Sequence, residues 1–266
     1  MYLTAGGTPY YVDERADGGR PTLVFLHGVL MDHRSWARQV EALAGEYRIV
    51  RLDMWGHGAC PDRPGERRLE DFVDQAQEVI EATCAGAPPV LIGFSMGGLI
   101  AQAHAIRHSA SLKGLVLMNA VYNRSAEELK SVAARLDTLE RDGIASVIEA
   151  ARARWFRPDE IAEQGAEIEE ILSWMAEGDI AAKTKAYRVF TSEDHKTAGR
   201  LGAIACPALV MTGDGDKGSP PHMSEAMAAA IPDARLRILE RQQHMMPVLA
   251  DDRVNEELRG FLGDLS

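Results

Sequence analysis

The sequence predicts an α/β fold, a mostly parallel central sheet flanked by helices and carrying a helical insertion. Three observations lead there. Short apolar runs alternate with helix-like stretches along most of the 266 residues. That alternation stops between residues 121 and 205, where helical patterns occur without a convincing strand. The chemically suggestive motifs fall directly after apolar runs, at the strand ends where open parallel sheets place their ligands.

The strand-like runs cover residues 22–26, 47–52, 90–92, 115–118, 208–211 and 236–239. They are short and apolar, as buried strands are. Between and after them, residues 35–43, 69–84, 96–107, 222–230 and 252–261 keep a helical period. Within the insertion, 125–140, 144–155, 158–176 and 180–190 read as four helices, with breaks near Asp142-Gly143, Arg157-Pro158 and Gly178-Asp179. An insertion that leaves from a strand's carboxyl end is expected to fold over the site as a cap. The expected division is a core domain of residues 1–120 and 206–266 and a helical cap of residues 121–205. No internal repeat or low-complexity tract interrupts the chain.

Apolar residues make up 46% of the chain, enough for a sizeable core in one α/β domain with an insertion. Acidic residues outnumber basic ones by 40 to 29, and the resulting charge of −11 argues against nucleic acid and anionic membrane surfaces as partners. Cys60, Cys84 and Cys206 are odd in number, widely spaced and free of any C-x-x-C pattern, so neither a disulfide framework nor a zinc ribbon is expected. A reducing cytoplasm fits that usage. Residues 1–13 carry no basic residue and no long apolar run, and no uncharged stretch approaches bilayer length. The expectation is a soluble, unexported protein.

Gly93-Phe94-Ser95-Met96-Gly97, followed by Gly98, joins the run at 90–92 to the helix at 96–107. So abrupt a strand-to-helix turn holds its central residue in strained backbone, and flanking glycines remove the Cβ clashes. The Ser95 hydroxyl is thereby exposed, beside backbone N–H groups at a helix N-terminus that can stabilise a developing oxyanion. A serine hydroxyl is a weak nucleophile at neutral pH and needs a base with a carboxylate to orient it. Gly213-Asp214-Gly215-Asp216 supplies acids just after one strand, and Glu240-Arg241-Gln242-Gln243-His244 supplies a histidine just after the last. The order Ser, Asp, His is the one that a G-x-S-x-G turn on this architecture calls for.

With these motifs in place the chain resembles the α/β-hydrolase fold enzymes over essentially its full length. His27-Gly28 is similar to the family's oxyanion loop, Asp53-Met54-Trp55-Gly56-His57-Gly58 to its D-x-x-G-x-G turn, and Gly213-Asp214-Gly215-Asp216 to its acid loop. The resemblance implies Ser95 as nucleophile, His244 as base and then acid, and Asp216 as the orienting carboxylate. It also implies an oxyanion hole from the backbone N–H groups of Val29 and Met96. Asp214 competes with Asp216 as a turn residue beside glycine, and family spacing favours Asp216. An acid after the fourth strand, found in some relatives, has no counterpart at Asn119-Ala120. The chain departs from the pattern at Gln242-Gln243, where relatives commonly carry a small residue before the histidine.

His27 and His57 read as structural, holding loops through side-chain hydrogen bonds, and Cys60 as packing a turn. Residues 214–225 superficially resemble a calcium loop but lack the acid or amide at position five and the glycine at six, and follow a strand. No metal and no cofactor is expected, and no phosphate loop or dinucleotide fingerprint is present. Trp155, Phe156, Trp174 and Met175 are candidates for the walls of a small-molecule pocket, or for the packing of the cap. Residues 159–179 hold eight acids and no Lys or Arg. On the rim of an entrance they would disfavour multiply anionic substrates.

The expected activity is therefore cofactor-independent serine hydrolysis of a small ester or lactone through an acyl-enzyme. Gly93-Phe94-Ser95-Met96-Gly97-Gly98 and Ile204-Ala205-Cys206-Pro207-Ala208-Leu209-Val210 look most like the branch containing 3-oxoadipate enol-lactonases, which also holds esterases, perhydrolase-like proteins and carbon–carbon bond hydrolases. The alternatives are a meta-cleavage type carbon–carbon hydrolase and a non-catalytic ligand-binding protein on the same fold. A dicarboxylate lactone would want a cationic anchor in the pocket, and the sequence assigns no cap arginine to that place.

Overall fold

The structure is a computed structural model that describes residues 2–13, 20–84 and 86–265. Its sheet has eight strands: β1 (Tyr2–Ala5), β2 (Thr8–Asp13), β3 (Thr22–Leu26), β4 (Arg48–Leu52), β5 (Val90–Phe94), β6 (Gly114–Met118), β7 (Ala208–Gly213) and β8 (Ala234–Leu239). Their order is β1-β2-β4-β3-β5-β6-β7-β8, with β3 to β8 parallel and the β1–β2 hairpin antiparallel at one edge. Strands β3, β5, β6 and β7 are buried along their whole length, which is why they read as unbroken apolar runs. Edge strand β8 alternates instead, exposing Arg235 and Arg237. The hairpin was not among the expected strands. It is closed by Gly6-Gly7, both at positive φ, a two-residue turn that matches the strands' twist.

Register aligns the strand ends that matter. Leu26 lies opposite Gly93, Phe94 opposite Met118, and Met118 opposite Met211, so the loops after β3, β5, β6 and β7 leave the sheet at one level. Helices α1 (Ala37–Leu43), α2 (Leu69–Cys84) and α3 (Met96–His108) follow β3, β4 and β5. Between β6 and β7 lie α4 (Ala126–Asp142), α5 (Ile144–Trp155), α6 (Pro158–Glu163), α7 (Gly165–Ala176) and α8 (Ile180–Ser192). Next come α9 (Pro221–Ala230), the short α10 (Met246–Leu249) and α11 (Asp251–Asp264).

Local signals set the insertion's helix ends. Ser125 and Glu128 form a capping box on α4, Gly143 turns into α5 at φ +81°, Pro158 opens α6, and the Asp179 carboxylate caps α8 by accepting from Ala182 N. The single helix expected over 158–176 is two, broken at Gln164, which leaves helical geometry before Gly165.

Polar contacts fasten this insertion to the rest of the chain. Arg34 pairs with Glu177 (2.7 Å), Arg38 with Glu167 (2.9 Å), Lys185 with Asp62 (2.6 Å) and Lys196 with Glu70 (2.8 Å). Arg124 and Asp194 meet at its two crossing points, both buried. The Arg124 amide donates to Asp194 Oδ2 (3.1 Å) and its guanidinium to the Phe190 carbonyl (2.8 Å). Burial lowers the Arg124 pKa to about 10 against the pull of Asp194. Among the described residues no helix is long and apolar enough to cross a membrane.

Candidate active site

Ser95 sits between β5 and α3 at φ +54° and ψ −115°. Glycine is required on either side by close approach: a Cβ at Gly93 would strike the Gly97 carbonyl, and one at Gly97 would strike the Leu26 carbonyl. Leu30, Asn119 and Arg241 also have positive φ, at 66°, 47° and 57°. With Ser95 they stand in the loops after β3, β5, β6 and β8, so backbone strain concentrates around one place.

There the structure brings together three side chains that lie far apart in sequence. His244 Nε2 is 3.2 Å from Ser95 Oγ, and His244 Nδ1 is 2.8 Å from Asp216 Oδ2. All three residues are buried, and Ser95, which the turn alone was expected to expose, is covered by side chains from α4, α5 and α8. Asp216 Oδ2 also accepts from Asn119 Nδ2 at 2.8 Å, while Oδ1 accepts from the amides of Gly218 (2.7 Å) and Ser219 (3.0 Å). Burial alone would raise the Asp216 pKa, but His244, Asn119 and the Ser219 amide outweigh it and hold the carboxyl below its usual range. The group is thus an anion able to fix the imidazole. Asp214 takes a different place, accepting from the Gln242 amide at 3.2 Å.

The loop after β3 is fixed by two buried, neutral histidines. His27 Nε2 accepts from Met54 N (3.0 Å), and His57 Nε2 accepts from Leu30 N (3.2 Å). Burial lowers both pKa values, that of His57 to about 3. These roles agree with the structural reading of His27 and His57. Lys183, 1% exposed, reaches from α8 to the same loop and donates to the carbonyls of Leu30 (3.3 Å), Trp174 (2.8 Å) and Met175 (3.4 Å). Burial brings its pKa down to about 8 despite Asp32 and Glu177 nearby. Val29 lines the pocket beside Ser95, and Met96, as the first residue of α3, has an amide with no helical acceptor one turn earlier.

The Gln242-Gln243 approach to His244 is accommodated by hydrogen bonds. Gln242 O accepts from Gly215 N (2.9 Å), and a Cβ at Gly213 would strike the same carbonyl. With its amide nitrogen facing them, Gln243 donates to the carbonyls of Arg154 (2.9 Å) and Gly215 (3.1 Å). It links the insertion, the acid loop and the histidine loop. Trp155 stacks on the His244 ring at 5.5 Å.

Val29, Ser95, Arg135, Arg154, Trp155, Tyr187, Phe190, Gly218, Ser219 and His244 line a nearly closed pocket with about 20 Å³ of free volume. Of the four apolar candidates only Trp155 reaches it. Trp174 faces a groove between α1 and α7, where the Arg34 guanidinium lies 5.2 Å from its ring, and Phe156 and Met175 are packed in the core. The acid-rich stretch is also less bare than its sequence: Glu167, Glu169, Glu177, Asp159 and Glu160 pair with Arg38, Arg152, Arg34 and Arg157. Sequence reading missed Arg135 and Arg154, since helical period says nothing of which face meets the serine; it singled out Gln243 as a departure and Asn119 as no acid, without the hydrogen bond from Asn119 to Asp216.

The remaining titratable residues have structural settings. The Cys60 thiol is pushed up to about 12 by burial and then by Asp53, and burial also raises Cys84 and takes Cys206 to about 11. His222 pairs with Glu128 at 3.1 Å, His195 bonds the Ser192 carbonyl at 2.9 Å, and His104 bonds Gln77 at 2.8 Å.

Known proteins share both the sequence pattern and the architecture. The chain is 31% identical over 262 residues to the (E)-2-((N-methylformamido)methylene)succinate hydrolase of Acinetobacter baylyi, covering 98% of this chain and 97% of that protein. It is 25% identical over 196 residues to 3-oxoadipate enol-lactonase 1 of the same organism, 74% and 71% of the two chains. The crystal structure of the enol-lactonase from Burkholderia xenovorans superimposes with a TM-score of 0.88 at 25% identity, over 99% of this chain and 100% of that one. A model of the alpha/beta hydrolase family matches residues 23–257, from β3 into α11. The chain belongs to the alpha/beta hydrolase family.

Proposed function

We propose that this protein is a serine hydrolase that cleaves a small carboxylic ester or lactone through an acyl-enzyme, with residues 121–205 forming a cap over the reacting groups. The observation that carries the reading is the hydrogen-bonded chain Asp216–His244–Ser95, at 2.8 and 3.2 Å, in a buried pocket roofed by residues of α4, α5 and α8. The Acinetobacter and Burkholderia relatives, an (E)-2-((N-methylformamido)methylene)succinate hydrolase and enol-lactonases by name, support a small-molecule substrate.

In this reading His244 Nε2 takes the Ser95 proton as Oγ attacks the substrate carbonyl. Asp216 stabilises the imidazolium that results, and the Val29 and Met96 amides receive the tetrahedral oxyanion. His244 then returns the proton to the departing oxygen, which leaves as an alcohol or, in a lactone, stays tethered to the acyl group. Water enters, His244 removes its proton, and the acyl-enzyme is released as a carboxylic acid.

The test is hydrolysis of short-chain p-nitrophenyl esters by wild type and by Ser95→Ala, with labelling by a fluorophosphonate. Ester turnover and labelling are expected in the wild type and neither in the variant, folded as judged by circular dichroism. A folded Ser95→Ala protein with full activity would rule out Ser95 as the nucleophile.

A further inference from the structure

Arg135 from α4 and Arg154 from α5 both line the pocket that holds Ser95 and His244. Both are half-buried, and among the described residues neither has a carboxylate within ion-pair distance. The contacts they do make are weak for a guanidinium: Arg135 donates to the Ser131 hydroxyl at 3.0 Å, and Arg154 donates to the Ala150 carbonyl at 3.4 Å and lies 5.8 Å from the Trp155 ring centre. Arg135 Nε is buried with no partner at all among the described residues. An unmet buried donor on a cation is costly, and natural proteins seldom leave one without cause.

The contrast with neighbouring arginines sharpens the point. Arg34, Arg38, Arg157 and Arg188 each hold a carboxylate at 2.6 to 3.0 Å. In a chain with eleven more acids than bases, two half-buried arginines without a carboxylate partner among the described residues line the pocket of the candidate nucleophile. Burial, and then the Arg135 guanidinium, lower the Arg154 pKa, so the two cations repel each other. The acid whose field reaches Arg154 is Asp216, and its oxygens are already taken by His244, Asn119 and two amides.

We propose that Arg135 and Arg154 clamp a carboxylate of the substrate itself, so that the enzyme acts on small acyl compounds bearing a free carboxylate a short carbon chain away from the reacting carbonyl. Guanidinium forks bind carboxylates in two parallel hydrogen bonds, and an anion between them relieves their repulsion. Val29, Trp155 and Phe190 supply apolar walls beside the two arginines, against which the carbon chain that links the two ends would lie. Hydrolysis of such a substrate consumes one water and releases a second carboxylate, making the product a dicarboxylate, while an ester's alcohol departs. This proposal rests on the reading of Ser95 as nucleophile.

Monomethyl succinate and dimethyl succinate form the test pair, because the second lacks the free carboxylate. Wild-type kcat/KM is expected to favour the monoester by more than about tenfold, the strength of a charge-assisted pair. Arg135→Met and Arg154→Met are each expected to reduce that ratio by about ten- to a hundredfold, mainly through KM for the monoester. Calorimetry of succinate with Ser95→Ala protein reads the clamp without turnover, so it stands even where Ser95 proves not to be the nucleophile. Succinate should bind, and bind at least about tenfold more weakly when either arginine is also replaced. Wild-type preference for the diester, or unchanged succinate affinity in both arginine variants, would overturn the proposal. So would sulfate binding as tightly as succinate, which would reduce the site to a general anion hole.

Discussion

The indole of Trp155 lies against the imidazole of His244, ring centres 5.5 Å apart and planes inclined by 28°. One residue earlier, the Arg154 carbonyl accepts from the Gln243 amide at 2.9 Å. The end of α5 therefore touches the histidine loop twice, and the position of the insertion bears directly on the proposed base. Trp155→Leu is expected to lower kcat for a neutral p-nitrophenyl ester about ten- to a hundredfold, because small misplacements of a reacting group carry penalties of that order. Trp155→Phe should recover most of the loss, and steady-state kinetics on the three proteins checks it.

Asn119 offers a second route to the same base. Its side chain donates to Asp216 Oδ2 at 2.8 Å, inside a fully buried site. Asn119→Leu removes a hydrogen bond to a charged acceptor, with an expected loss of about 1.5–3 kcal/mol in urea unfolding. Activity should fall alongside stability, with Asp216 still held by the two amides. A variant as stable as the wild type would contradict the placement of Asn119.

Acid lability follows from the buried histidines. His57 is neutral in the fold with a pKa of about 3, against 6.5 for the free side chain. The unfolded chain takes up the proton first, so stability is lost as the pH falls from about 6.5 towards 3, by as much as about 5 kcal/mol from this residue. Asp53 adds to the trend lower down. Burial would raise its carboxyl, yet the His33 side chain and the Ala59 amide hold it at about 2, so its contribution fades between about pH 5 and 2. Urea midpoints at about pH 7 and pH 4.5 should show His57→Gln losing clearly less stability than the wild type over that interval.

Arg124 tests the join between insertion and core. Leaving Asp194 buried without its cation, as in Arg124→Met, should destabilise the protein by about 3–5 kcal/mol. Replacing Asp194 with Leu in the same chain should restore a large part, since the uncompensated charge is gone. Equal stability of single and double variants would argue against a working ion pair.

The legible parts of the molecule were those whose physics is local. Runs buried on both faces, such as 22–26 and 208–211, announce strands by composition, and the glycines around Ser95 announce a turn where only a missing Cβ fits. Tyr2–Ala5 and Thr8–Asp13 lack such an apolar run, and the Gly6-Gly7 turn that pairs them was the signal to read. The pocket's charge was hidden for another reason. Arg135 and Arg154 sit in helices whose period is indifferent to what lies 40 or 60 residues away, so only packing onto the sheet shows them above Ser95. Long-range pairing also obscured the acid-rich stretch, because Glu167 and Glu177 meet arginines from before α1 and within it.

The buried meeting of Arg124 with Asp194 has an evolutionary reading. Arg124, just after β6, and Asp194, just after α8, tie the two ends of the α4–α8 segment together, which makes that segment a natural unit to exchange. Grafting residues 125–193 from another family member onto this core, with the pair retained, would replace Arg135 and Arg154 together while leaving Ser95, Asp216 and His244 in place. New substrate ranges could arise by swapping one roof for another, without rebuilding the chemistry beneath it.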